Sequence, residues 1–126
     1  MYYILIMTIG IDIVEVKRIE KAIKKWGKRF LTRIFLPDEI TYCMSMRNPY
    51  IYFAARFAAK EAFSKALGTG IKRLSWKDIE VSHKKSGKPY LKITGTSKKL
   101  LNGRKYDISI SHTDSLAIAT VIIESG

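Results

Sequence analysis

The hydrophobic positions change period along the chain, and each change marks an element. Tyr2 to Val14 is dense in β-branched and aromatic residues and predicts a buried strand, with Gly10-Ile11-Asp12 near its end. From Glu15 onward, Val16, Ile19, Ile23, Trp26 and Phe30 follow at spacings of 3, 4, 3 and 4. That stripe predicts an amphipathic helix with Gly27 near its C-terminus. Pro37-Asp38-Glu39 opens a second helix, with proline at the first helical position and carboxylates in the first turn. Pro49 starts a third and longer helix, Tyr50 to Leu67, closed by Gly68-Thr69-Gly70. Beyond it the period falls to two. Asp78 to Val81 and Pro89 to Ile93 flank Lys84-Lys85-Ser86-Gly87 as a hairpin. Thr96 to Asn102 reads as a short helix ended by Gly103. Tyr106 to Ser111 and Leu116 to Ile123 form a second hairpin around His112-Thr113-Asp114-Ser115. This order predicts a single α+β domain over residues 1–126, with helices packed on an antiparallel sheet.

Composition narrows the class. With 126 residues, 47% hydrophobic and 27% charged, the chain has the balance of a globular domain and not of a disordered one. The one cysteine, Cys43, cannot form an intramolecular disulfide or a paired-cysteine zinc site, which fits a reducing compartment. The longest apolar run, Tyr2 to Met7, is far short of the ~20 residues that span a bilayer, and no basic segment precedes it as in a signal peptide. The expectation is a small soluble cytoplasmic domain with no membrane partner. Charge changes the picture more. Lys plus Arg number 23 against 11 Asp plus Glu, a net +12, which favours an anionic partner. Between residues 17 and 33, eight basic side chains face one acidic, Glu20.

Three places depart from a bland pattern. Asp12 is a carboxylate at the end of an otherwise apolar strand, either an N-cap for the next helix or a ligand. Phe57, Glu61 and Lys65 share one face of the long helix, so Glu61 is expected to be partly buried and in need of a strong partner; a routine Glu–Lys pair is the competing reading. His112 and Thr113 follow the alternating Ile108-Ser109-Ile110-Ser111, where His112 could position a phosphate or simply be a solvated turn residue. Cys43 sits in an ordinary helical pattern and reads as inert. Two carboxylates on different elements with lysines nearby suit Mg²⁺, which takes one or two protein carboxylates and completes its shell with water and phosphate oxygens. Zinc is disfavoured, since His83 and His112 are the only histidines.

These residues carry a family resemblance. Gly10 to Ile19 resembles the opening motif of the holo-(acyl-carrier-protein) synthases, the small phosphopantetheinyl transferases, and Phe57 to Gly70 resembles their second motif nearly throughout. Trp76 to Val81, Gly87-Lys88-Pro89 and Ser109 to Thr113 are similar too, in the family's order, so the resemblance covers the chain from Thr8 onward. It implies the phosphopantetheinyl transferase fold and a role in fatty acid biosynthesis. The implied reaction is transfer of 4′-phosphopantetheine from coenzyme A to a serine of apo acyl carrier protein, with release of 3′,5′-ADP. The implied metal ligands are Asp12 and Glu61, holding Mg²⁺ against the pyrophosphate. Lys65 would meet the leaving phosphate, and Glu61 or a metal-bound water would take the serine proton. Arg56, His112 and Thr113 would line the nucleotide end of coenzyme A and its 3′-phosphate, with Gly68 letting backbone come close. Arg18, Arg29 and Arg33, with Phe30 as an apolar anchor, would dock the acidic carrier protein. The family also implies a homotrimer with active sites between subunits. An RNA-binding module and an inactive carrier-binding domain are the competing readings. The first lacks an RNP-like strand, GXXG loop or zinc knuckle; the second does not need both carboxylates and Lys65.

Overall fold

The computed structural model describes residues 6–69 and 75–125. Strand β1 (Met7–Glu15) is followed by α1 (Val16–Trp26), α2 (Lys28–Ile34), α3 (Pro37–Met44) and α4 (Pro49–Leu67). A 3₁₀ turn (Trp76–Asp78) leads into β2 (Ile79–His83), β3 (Pro89–Ile93), α5 (Gly95–Leu101), β4 (Tyr106–His112) and β5 (Leu116–Glu124). The α+β expectation holds, with two antiparallel sheets where one was expected: β1-β5-β4 and the hairpin β2-β3. The predicted start of the first strand, Tyr2 to Leu5, lies outside the described residues, as does Gly70.

α4 is the centre of the packing. Asn48 caps its start, accepting a hydrogen bond from the Tyr50 amide, and Gly68 ends it with φ 79°. Ala54, Ala55, Ala58, Ala59, Ala62 and Ala66 are buried, so β1 and β5 press directly on the helix backbone. The approach is closest at Gly10, where an added Cβ would lie 1.8 Å from the Ala62 carbonyl oxygen.

The stripe Val16 to Phe30 is not one helix. Gly27, at φ 55° and ψ −132°, breaks the ladder, its amide bonding back to the Ile23 carbonyl at 2.7 Å. Phe30 therefore belongs to α2, where its ring meets Phe35 edge-on at 6.4 Å. The 3-4 spacing runs straight through the break, because only glycine's freedom at positive φ marks it. The last helix ends one residue earlier than expected, at Leu101, since Asn102 itself takes the left-handed conformation.

Candidate functional site

The inner face of β1 carries Gly10, Asp12 and Val14 toward α4, while Ile9, Ile11 and Ile13 face outward. Asp12 lies opposite Ala119 of β5, inside the strand and not at its end. It caps nothing: Glu15 occupies the N-cap of α1, with no side-chain capping bond. Lys65 Nζ instead donates to Asp12 Oδ1 at 3.0 Å and to the Ile11 carbonyl at 3.0 Å. Glu61, one turn earlier on α4, is half-buried. Burial, and then the negative charge of Asp12, push its carboxyl above the usual range, while Lys65 and Arg18 pull it back. Two carboxylates so coupled, one of them partly buried, form a hard oxygen donor set of the kind a divalent cation takes. No cluster of three or more His, Cys, Asp or Glu suited to a metal occurs among the described residues. Arg18 borders this site, 6.0 Å above the Phe57 ring, which in turn packs on Trp76 at 4.8 Å.

Arg56 is on a different side of α4. Five residues from Glu61 at 3.6 residues per turn puts it roughly 140° around the helix. It is 3% exposed, 4.2 Å over the Tyr42 ring, with Nη2 3.4 Å from His83 Nδ1. It borders a cavity of about 180 Å³ whose wall includes Tyr52, His83, Pro89 and His112. His112 is exposed at the end of β4 and meets Tyr52 edge-on at 5.7 Å. The Thr113 hydroxyl oxygen accepts from the Leu116 amide at 3.1 Å, closing the turn into β5. Within one chain the carboxylate pair and the Arg56 cavity are separate. Tyr52, which touches His112, precedes Glu61 by nine residues, about 13 Å along the helix axis.

The basic face also divides. Arg29, Phe30 and Arg33 line a groove of about 380 Å³ together with Trp26, a half-exposed ring. Arg18 does not line it. The 3-4 stripe places Trp26 on the apolar face of α1, yet at the last turn before Gly27 its ring is half-exposed.

The sequence reading also missed a buried ion pair. Lys60 Nζ donates to Glu39 Oε1 at 2.7 Å, to the Ile34 carbonyl at 2.7 Å and to the Trp76 carbonyl at 3.2 Å. Both side chains are at most 1% exposed. Glu39 accepts the Leu36 and Val81 amides as well. Burial lowers the Lys60 pKa, and Glu39 opposes that shift. The pair ties α2, α3, α4 and β2 together beside the site. Cys43, fully buried, has its thiol pushed up to about 12 by burial, which disfavours the reactive thiolate.

No helix among the described residues is long and apolar enough to cross a membrane. Residues 8–121 match the model of the 4′-phosphopantetheinyl transferase superfamily. A relative in Halothermothrix orenii, a holo-[acyl-carrier-protein] synthase, is 49% identical over 97% of this chain and 100% of its own. A Helicobacter pylori holo-[acyl-carrier-protein] synthase in complex with coenzyme A superposes with a TM-score of 0.82 at 40% identity, covering 91% of this chain and 98% of that one. A Bacillus anthracis holo-(acyl-carrier-protein) synthase in complex with CoA (3′,5′-ADP) gives 0.80 at 42% identity, over 98% and 100%.

Proposed function

Because this chain belongs to the 4′-phosphopantetheinyl transferase superfamily, among its holo-(acyl-carrier-protein) synthases, we propose that it moves 4′-phosphopantetheine from coenzyme A onto a serine of apo acyl carrier protein, releasing 3′,5′-ADP in a Mg²⁺-dependent reaction. The observation that carries the mechanism is the Lys65–Asp12 ion pair at 3.0 Å between α4 and β1, one helical turn from Glu61, whose carboxyl feels the Asp12 charge. These two carboxylates would hold Mg²⁺, which when bound supplies Lewis-acid polarisation of the pyrophosphate. As the serine proton passes to Glu61 or to a water, the serine oxygen forms a bond to the β-phosphorus, and the bond from that phosphorus to the bridging oxygen breaks. Its electron pair stays on the phosphate of 3′,5′-ADP, where the Lys65 ammonium, half exposed at the cleft, balances the charge. Arg56, His112 and Thr113 hold the nucleotide end, and the left-handed turn at Gly68 leaves room beside α4 for the cofactor.

Arg29, Phe30 and Arg33 form the docking surface for the acidic carrier protein, with Arg18 closer to the reacting groups. The active assembly is a homotrimer with sites between subunits. Met7, Ile9, Ile11, Ile13 and Leu116 form an exposed apolar patch along β1 and the start of β5, which association of copies would cover. A neighbouring chain would also bring an Arg56 cavity to a carboxylate pair that one chain keeps apart. The reaction belongs in the cytoplasm, serving fatty acid biosynthesis.

The test is incubation with apo carrier protein, coenzyme A and Mg²⁺, read by mass spectrometry for phosphopantetheine addition. Glu61→Gln, nearly isosteric, should keep the fold and lower turnover at least ~100-fold. Unchanged activity removes Glu61 from the site, and RNA binding without modification favours a binding module.

A further inference from the structure

His83 and Arg56 lie side by side on one face of Tyr42. The guanidinium carbon is 4.2 Å from the ring centroid; the imidazole centroid is 5.0 Å away and inclined by only 20°. The 3.4 Å between Arg56 Nη2 and His83 Nδ1 puts the two on the same side of the ring. Arginine has no acceptor, so Nη2 donates and Nδ1 accepts, leaving the imidazole proton on Nε2. His83 is the last residue of β2, held in register against Pro89 of β3, so its ring comes from a fixed strand end. Burial first, and then the positive charge of Arg56, hold the imidazole pKa below its ordinary value and keep this acceptor available at neutral pH. Meanwhile the Arg56 Nε is buried with no hydrogen-bond partner among the described residues, at the edge of the cavity that His112 also lines. A desolvated guanidinium with a spare donor suits an anion.

We propose that His83 is a positioning residue for substrate phosphate: by accepting from Nη2 against the Tyr42 ring, it fixes the plane of the Arg56 fork so that the remaining N–H groups meet an anionic group of the nucleotide substrate. This rests on the reading of coenzyme A as that substrate and of Arg56 as its contact. The titratable and charged groups lining the two cavities that His83 borders are Asp38 and Tyr42 of α3, Tyr52 and Arg56 of α4, Glu80 of β2, Lys92 of β3 and His112 of β4. Protonation at Nδ1 would remove the acceptor and set a second cation against Arg56. The clamp is therefore present at pH 7 and lost as pH falls through the lowered imidazole pKa.

The experiment measures KM and kcat for coenzyme A and for 3′-dephospho-coenzyme A in the parent and in His83→Ala, His83→Asn and Arg56→Ala, with thermal melts to confirm folding. His83→Ala should raise KM for coenzyme A roughly five- to tenfold with kcat within about twofold, and should leave KM for the dephospho form unchanged. His83→Asn keeps an acceptor near the Nδ1 position and should restore the parent KM to within about twofold. Between pH 7.5 and 5.5, KM for coenzyme A should rise more in the parent than in His83→Asn, a comparison that cancels pH effects common to both proteins. Equal penalties on both substrates in His83→Ala, or no penalty on either, overturn the proposal. If Arg56→Ala raises KM and His83→Ala does not, this inference alone fails. If Arg56→Ala has no effect either, the assignment of Arg56 to the nucleotide fails first.

Discussion

Gly10→Ala tests the contact on which the site is built. A Cβ at residue 10 would sit 1.8 Å from the Ala62 carbonyl oxygen and 2.7 Å from the Ala66 amide nitrogen, both backbone atoms of a hydrogen-bonded helix. An ordinary carbon–oxygen contact is about 3.4 Å, so β1 must retreat from α4 by about 1.6 Å. Overpacking of this kind costs about 1–3 kcal/mol when flexible side chains yield; with backbone on both sides the upper end applies, about 3 kcal/mol. For a domain of this length that lowers Tm by about 10 °C. The same retreat carries Asp12, two residues along the strand on the same face, away from Glu61 and Lys65. Misplacement by about 1 Å is enough to lower turnover ~100-fold. The assay pairs thermal melts with initial rates of phosphopantetheine transfer, measured well below the variant's Tm. Parent-like Tm and rate would refute the close approach itself. A lowered Tm with the parent rate would keep the packing argument and remove Asp12 from the reacting groups.

Three further outcomes are expected. Lys60→Met strands the Glu39 carboxylate in the interior and should cost about 3–5 kcal/mol in urea unfolding, part of which the double variant with Glu39→Gln recovers; a single variant as stable as the parent contradicts the buried pair. Arg29→Glu with Arg33→Glu should raise KM for carrier protein more than ~10-fold and leave that for coenzyme A within about twofold, the parent's advantage shrinking with added salt; this pair is a cleaner reversal than one including Arg18, which also faces Glu61. Cys43, its thiol raised to about 12, should resist a thiol-directed alkylating reagent at pH 8 in the folded protein and label only on denaturation, as read by mass.

The order of elements and most of their ends follow from local rules that a linear reading can apply. Asn48-Pro49 starts α4 and Gly68 stops it, and Lys84 to Gly87 turns the β2-β3 hairpin, because capping, proline geometry and positive φ depend on residues a few positions apart. The motif residues Asp12, Glu61 and Lys65 were visible in the same way, by type and spacing. What those side chains do was not. Asp12 loses the helix-cap reading only when β1 is laid against α4, and only a glycine without a side chain at residue 10 permits that approach. Glu39 is the first-turn carboxylate the sequence predicts, but its partner Lys60 lies 21 positions on; Arg56 and His83 meet across 27. Phe30 kept its place in a helical stripe that Gly27 had already broken. Hydrophobic periodicity records which side of an element is apolar, whereas burial, and with it the strength of every charge interaction, depends on which elements touch. That choice is made by the packing of distant segments, so the site's electrostatics exist only in the folded chain.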